Sequence, residues 1–413
     1  MPSGDLRREV EQLTPSMIAL RRQLHAHPEL AFEETRTAAT LAARMRSLAL
    51  EVHEGVGGTG VVAVLEGSQT GPTLLVRADM DALAMPDSTG REYASRLADR
   101  HHACGHDAHA AIVAGVAEIL TCHRARIAGR VAFVFQPADE PMRGARRMID
   151  DGVLQLIKPD RSMGVHVLPM AKVGQVVVQR GPIWASWDTL RLVIEGTGPS
   201  AGAASSFDVA RVAAQMTTAL YDLVDEEEPS PDPVTFRIRS LLAEQGGRGD
   251  PSQAAVEVHL GRPEFQRGML ELNLALYDNA VRTRLLARMI TTATVMVEAS
   301  GGTLRTEVDY ALPALVNDDD VTDALERAAC RVVGDTSVIK NWRNTFSDDF
   351  GLFMASAPGC LMLLGTANPS KGITEIWHRP GFDIDEEALP IGAHIMSLAA
   401  LDLLGRLSAV ATV

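Results

Sequence analysis

Short apolar runs, set between segments of helical periodicity, constrain the fold of this chain more than any other feature. VVAVLEG at 61–67, TLLVRA at 73–78 and VAFVFQ ending at Gln136 are too short for helices and rich in β-branched and aromatic residues. Strands that read as nearly continuous apolar runs are buried on both faces. Helical patterns precede and separate them, at 13–26, 34–48, 111–120 with its flanks, and 145–154. The alternation predicts an α/β domain whose mixed, mostly parallel sheet is covered by helices.

That pattern breaks near residue 186. WDTLRLVIEG at 187–196 alternates as a strand, and 207–224 is an amphipathic helix that stops at the acidic, proline-broken DEEEPSPDP. Alternating segments at 233–240, 254–260 and 269–277 precede a long helix at 279–299, the order of a small α+β sandwich. From about 303 the α/β character returns, with an apolar strand at 361–365 and a closing helix at 389–407. The expected organisation is a larger domain, 1–185 and 303–413, interrupted by a smaller one at 186–302. A length of 413 residues accommodates both.

Composition narrows the function classes. Acidic residues number 53 against 39 basic ones, a net charge of −14, which disfavours phosphate backbones and anionic membranes as partners. The N-terminal MPSGDLRREVEQ lacks the apolar run of a signal peptide, and the apolar stretches at 111–120 and 361–365 are too short to span a bilayer. Cys104, Cys122, Cys330 and Cys360 match no zinc ribbon or disulfide scaffold. A cytoplasmic protein is the expectation, without nucleic-acid or membrane partners.

Two motifs mislead. GVGGTG at 55–60 satisfies the dinucleotide fingerprint in letters, but a strand follows where the fingerprint needs a helix N-terminus. GPSAG at 198–202 mimics a nucleophile elbow around Ser200, yet the next helix begins too late and the segment lies in the insert.

The chemistry concentrates elsewhere. In HHACGHDAH, 101–109, Cys104 and His106 flank a glycine, so thiolate and imidazole can approach one borderline cation. His101, His102 and His109 are further candidates, or supporting histidines. FQPADE at 135–140 ends a strand with two acids at the sheet edge where open α/β folds bind ligands. MGVHV at 163–167 places His166 in an apolar strand, and His378 lies in a loop before the last helix. Cys104, His106, Glu140, His166 and His378 make five donors, enough for two divalent ions if one bridges. Asp79, in RADMD at 77–81, suits the support of a ligating histidine.

RRQLHAHPELAFEET, LLVRADMDALAMP, HHACGHDAH, VFQPADE, MGVHVLP and WHRPGFDIDEEALPIGA occur in this order along nearly the whole chain. Together they resemble the M20 metallopeptidase family, in its aminoacylase, hippurate hydrolase and auxin-conjugate amidohydrolase branch. The resemblance implies a catalytic α/β domain with an inserted α+β lid that forms a homodimer. It also implies two divalent ions, zinc by default with manganese, nickel or cobalt as alternatives, on Cys104, His106, Glu140, His166 and His378. Asp139 stands at the position of the general base, Asp79 at that of a ligand-supporting aspartate, and Asp348 at that of the Glu in an E-D-F motif.

The departures fall on the chemistry. Asp139 replaces a glutamate and is one methylene shorter. Ser200 stands where the lid contributes a histidine, GRPEFQ replaces Asn-Val-Ile-Pro, and Ala275 takes the place of an arginine. The implied activity is metal-dependent cleavage of an amide C–N bond in a small N-acyl amino acid or related conjugate, with Ser200 able to donate one hydrogen bond to the oxyanion. Two alternatives stand beside it. One is a hydrolytic deaminase of an unusual amine, with Trp184 and Trp187 lining an aromatic pocket. The other is a non-catalytic, metal-containing protein that binds a small ligand.

Overall fold

The computed structural model describes residues 4–197, 207–227, 234–245 and 266–410. In chain order, α1 (Gly4–His25) and α2 (Thr35–Ser47) precede β1 (Glu51–Val56), β2 (Gly60–Glu66) and β3 (Gln69–Asp79). Then come α3 (His106–Cys122), β4 (Ala128–Gln136), α4 (Gly144–Asp150), α5 (Val153–Ile157), β5 (Arg161–Lys172), β6 (Val176–Val177) and β7 (Gly181–Trp184). The next stretch carries β8 (Trp187–Gly196), α6 (Val209–Asp225), β9 (Thr235–Gln245), β10 (Gln266–Ala275), α7 (Asn279–Ala299) and β11 (Gly302–Leu312). Last are β12 (Leu315–Asn317), α8 (Asp319–Val333), β13 (Val338–Ile339), α9 (Phe350–Met354), β14 (Gly359–Ala367) and α10 (Ala388–Val410).

The chain forms two compact units: 1–183 with 315–344 and 348–413, and 184–314 with 345–347. In the first, an eight-stranded sheet runs β1-β2-β4-β3-β5-β14-β6-β13. Its centre, β4-β3-β5-β14, is parallel, while β1, β2 and β6 join antiparallel. The α/β reading holds, with a mixed sheet whose continuous apolar strands are buried on both faces. β2 and β4 show why: their Val, Ala and Phe side chains are all but inaccessible. α3 is buried almost throughout, and α1, α8 and α10 complete the core on its side.

Several boundaries differ from the sequence reading for local reasons. The first helix starts at Gly4 rather than 13, and Pro15 is accommodated inside it. The helix expected at 145–154 is two, because Gly152 adopts φ 89° between α4 and α5. α10 has an 18-residue window, Ala388–Gly405, long and apolar enough to span a bilayer, which the sequence reading did not single out. Its residues Leu389, Ala393, Ile395, Met396, Ala399 and Ala400 are buried in the first unit's core, the pattern of a central helix.

The second unit is a four-stranded antiparallel sheet, β11-β8-β10-β9, with α6 and α7 packed over an apolar core of Leu190, Leu192, Ile194, Leu270, Leu272, Met216 and Met289. The sequence reading ended the insert at 302 and missed β11, which pairs along β8 and carries the unit to Ala314. The strand expected at 254–260 and Ser200 lie outside the described residues. Ala275 is buried beside Ala185 and Tyr277, with Trp187 packed against them, while Trp184 meets Phe346 edge-on.

Candidate metal centre

The site is assembled at the C-terminal ends of the parallel strands. β3 delivers Arg77 and Asp79, β4 runs into the turn that bears Asp139 and Glu140, β5 carries His166, and α3 opens with His106. Gly105 makes the entry to α3 possible. It adopts φ 87°, and a Cβ there would lie 2.5 Å from a Val167 methyl. Glycine is therefore required both by conformation and by space.

Behind the donors stands a layer of carboxylates. The Asp81 carboxylate accepts from the backbone N–H of Asp139 and of Glu140, each at 3.0 Å, and so fixes the turn after β4. His106 Nδ1 lies 2.9 Å from the Asp81 carbonyl oxygen, to which it donates, and this leaves Nε2 facing the site. His109 donates to Asp79 at 2.6 Å and accepts from the Val167 N–H at 2.9 Å, so both its nitrogens are engaged. His166 donates through Nδ1 to the Val167 carbonyl at 2.8 Å, which turns Nε2 toward Cys104 Sγ, 3.6 Å away.

Four donor atoms, from Asp79, His106, His109 and His166, lie within 4.8 Å of one another, and so do those of Cys104, His106 and Glu140. His106 is common to both groups. Its Nε2 and Glu140 Oε1 are buried without a hydrogen-bond partner. Buried polar atoms are otherwise nearly always satisfied, so two orphans pointing into a ring of thiol, imidazole and carboxylate fit a cation. Donor groups that overlap at His106, with Asp79 and His109 already engaged behind them, make a dinuclear divalent-metal site.

The electrostatics agree. Burial, and then Glu140, pushes the Cys104 thiol well up, and burial pushes Glu140 to about 8 although His106 pulls the other way. A divalent ion reverses both directions, because it favours thiolate and carboxylate. Burial also pushes His166 well down, with His109 adding to the effect, so this imidazole is a neutral donor.

The structure places the remaining expected residues less uniformly. His378 lies outside both donor groups. Its side chain is half exposed, Nε2 is 3.5 Å from Glu140 Oε2, and its backbone sits at φ 58°, a strained conformation for a non-glycine residue. Its N–H donates to the Ala103 carbonyl at 2.9 Å, tying this loop to the Cys104 loop. Asp139 Oδ2 is 3.8 Å from His106 Nε2, while Oδ1 pairs with Arg77. Asp79 is fully buried. Against the pull of burial, His106, His109 and Arg77 hold it well below the usual carboxylate range.

Arg77 is what sequence reasoning missed. Wholly buried, it donates to Asp79 at 2.8 Å, to Asp348 at 3.2 Å and to Gln136 at 3.0 Å, and it reaches Asp139 and Asp349 as well. One guanidinium thus serves four carboxylates. Burial pushes Asp348 up to about 7, against the pull of Arg77 and with help from Asp139 and Asp79. The signal was present: an arginine inside TLLVRA has no solvent to reach and so demands buried partners.

Comparisons with known proteins agree with this geometry. A probable hydrolase of Synechocystis is 32% identical over 407 residues, 96% of this chain and 98% of its own length. An N-acetylcysteine deacetylase of Bacillus subtilis is 30% identical over 390 residues, 94% of this chain and 97% of its own. Among solved structures, a putative aminohydrolase of methicillin-resistant Staphylococcus aureus superposes with a TM-score of 0.83 at 28% identity, covering 97% of this chain and 100% of that one. A Bacillus subtilis dinuclear metal binding peptidase from the M20 family gives 0.76 at 28% identity, covering 95% and 99%. The model of Peptidase family M20/M25/M40 matches residues 75–402. With a dinuclear donor set on this fold, the chain is a metal-dependent hydrolase of amide C–N bonds, and it belongs to Peptidase family M20/M25/M40.

Proposed function

We propose that the substrate is a small N-acyl amino acid, that Cys104, His106, Glu140, His166 and His378 hold the two ions, and that Asp139 is the general base. The observation that carries this reading is the convergence of Cys104, His106 and Glu140 on a buried space in which two polar atoms lack partners. Bound divalent ions supply Lewis-acid polarisation of the scissile carbonyl and lower the pKa of water in the site.

The protein's own groups do the rest. Asp81 and Val167 aim the Nε2 atoms of His106 and His166 inward, so the donors are preorganised before any ion arrives. Arg77 holds Asp139 by one oxygen and leaves Oδ2 turned toward His106. That free oxygen takes a proton from the attacking water and passes it to the leaving nitrogen. Asp79, through His109 and Arg77, acts as a positioning residue. The relative named for N-acetylcysteine deacetylation supports a small N-acyl substrate.

Two further assignments belong to the same reading. The second unit mediates a homodimer, for which β9 and β11, the edge strands among the described residues, and the exposed Leu241, Leu242, Val295 and Val308 provide surface. Light scattering at micromolar concentration should give twice the monomer mass, and the monomer mass would exclude this dimer. The protein resides in the cytoplasm, a compartment that suits its four free cysteines. The activity is tested by metal reconstitution followed by a panel of N-acetyl amino acids, hippurate, dipeptides and aminobenzoates. Metal-dependent turnover of an acyl amino acid is expected. Release of ammonia from an amine instead, or no turnover by fully loaded protein, would overturn the substrate assignment.

A further inference from the structure

We propose that a further divalent metal ion binds at the end of α1, held by His25, Asp87 and His101, separately from the dinuclear centre. The donor atoms of these three residues lie within 4.8 Å of one another. His25 Nε2 is 3.2 Å from Asp87 Oδ2, and His101 Nε2 is 3.9 Å from the same oxygen. A tetrahedral ion with ligand distances of about 2.0–2.1 Å sets its donors roughly 3.3 Å apart. The first pair already has that spacing, and His101 Nε2 lies roughly half an ångström beyond it from the same Asp87 oxygen.

Two of the three ligands are oriented from behind. His25 Nδ1 lies 2.7 Å from Asp107 Oδ2, and Arg21 Nε anchors the same oxygen at 2.8 Å. A histidine that donates one nitrogen to a buried carboxylate and turns the other toward a cation is the usual outer-shell arrangement of metal sites. Asp87 is held by the Thr89 N–H and hydroxyl on Oδ1, at 2.9 and 2.7 Å, and by the Ser95 N–H on Oδ2 at 2.8 Å. These contacts set the carboxylate in place and leave Oδ2 facing both imidazoles.

The site also lacks what an ion would supply. Both ring nitrogens of His101 are buried without a partner. Asp87 has a side chain 1% exposed, and among the described residues no Arg or Lys lies within 4.0 Å of it. Against burial and Arg21, Asp107 and Asp87 favour an imidazolium at His25, but that charge balances Asp87 alone and leaves His101 bare. A cation satisfies Asp87, His25 Nε2 and His101 Nε2 together. Burial pushes His101 down to about 4, so its ring is a neutral donor at physiological pH. Two imidazoles and one carboxylate select a borderline transition ion such as zinc over magnesium or calcium, with water completing the shell.

This ion would be a brace. His101 precedes Cys104 by three residues, so the ion fastens the start of the Cys104 loop to the last turn of α1. The test is metal content after loading with zinc alone and removal of the excess. Wild-type protein should hold one more ion per chain than either His101→Asn or Asp87→Asn, each checked for native circular dichroism. Equal content in wild type and a folded variant overturns the proposal. If neither variant folds, Cys104→Ser/His106→Ala, which leaves all three ligands of the brace intact, is loaded with cobalt instead. One remaining ion is expected, with ligand-field bands and no sulfur-to-metal charge transfer. Absence of any bound cobalt overturns the proposal as well.

Discussion

The two units bury polar groups on opposite terms. In the second, the buried Asp188 meets Arg282 one to one, through contacts of 2.7 and 2.6 Å, and Asn273 donates to Thr189 at 2.6 Å. In the first, Arg77 faces Asp79, Asp139, Asp348 and Asp349, and orphaned nitrogens remain on His101, His102 and His106. Histidine usage divides in the same way: of the twelve, only His259 lies in 184–314. In the second unit Asp188 and Asn273 find their partners within the unit. The first keeps buried lone pairs on His101, His102 and His106 that no group of the protein satisfies among the described residues. Such local inconsistency, held in place by a well-packed scaffold, marks the functional half of the molecule.

The largest expected effect comes from Arg77. Arg77→Met removes the guanidinium that Asp79, Asp139, Asp348 and Asp349 share and should destabilise the first unit by about 3–5 kcal/mol. Urea unfolding followed by circular dichroism measures it. A loss below about 1 kcal/mol would mean that the carboxylates are already neutral, and the contrast between the units would fail.

Next is Asp139. Asp139→Asn removes one of four acids competing for a single guanidinium, so stability should hold or rise, and metal content should stay near wild type. The kcat should nonetheless fall at least about a hundredfold, the scale of general-base loss. Full turnover by this variant would remove Asp139 from the proton path. Asp139→Glu sharpens the point, since the added methylene extends the carboxylate past Arg77 toward the donors. Activity that is kept or raised would identify an ordinary site with a shortened base.

The second unit supplies the counterpart. Asp188→Asn keeps the shape and weakens a largely buried pair, and should cost about 2 kcal/mol with zinc content unchanged. Loss of metal in this variant would show that the units are not energetically separate in the way their buried groups suggest.

Much of this was legible in the sequence where the signal was local. Continuous apolar strands announced a doubly covered sheet, and the Cys104-Gly105-His106 spacing announced a cation. The misses arise where tertiary context decides. β11 was overlooked because Arg305, Glu307 and Asp309 interrupt its apolar residues and its partner β8 is remote in sequence. Arg77 and Asp81 were passed over because their partners lie as many as 272 residues away, a distance that no window spans. His378 was expected among the donors by position, and neither its backbone at φ 58° nor the bond of its N–H to the Ala103 carbonyl could be read from the sequence.

The smallest expected effect is a dependence on pH carried by His102. The ring is buried, neither nitrogen has a partner, and burial pushes it down to about 3, with His25 and His106 adding to the shift and Asp107 opposing it. In the unfolded chain the same group titrates near 6.5. Between these values the unfolded state binds a proton that the folded state refuses. Stability is therefore intact above about pH 6.5, falls as pH drops through that value, and stops falling on this account below about 3. By pH 5.5 the loss from this one group is about 1.4 kcal/mol. His102→Leu replaces an unsatisfied polar ring with an apolar side chain, so it should be near neutral at pH 7.5 and should flatten the acid limb. Hydrogen exchange of the α3 amides at pH 7.5 and 5.5 isolates the first unit from the second. Protection lost equally by wild type and variant would show that His102 is already protonated or solvated in the fold, and the contrast between the units would then rest on Arg77 and its carboxylates alone.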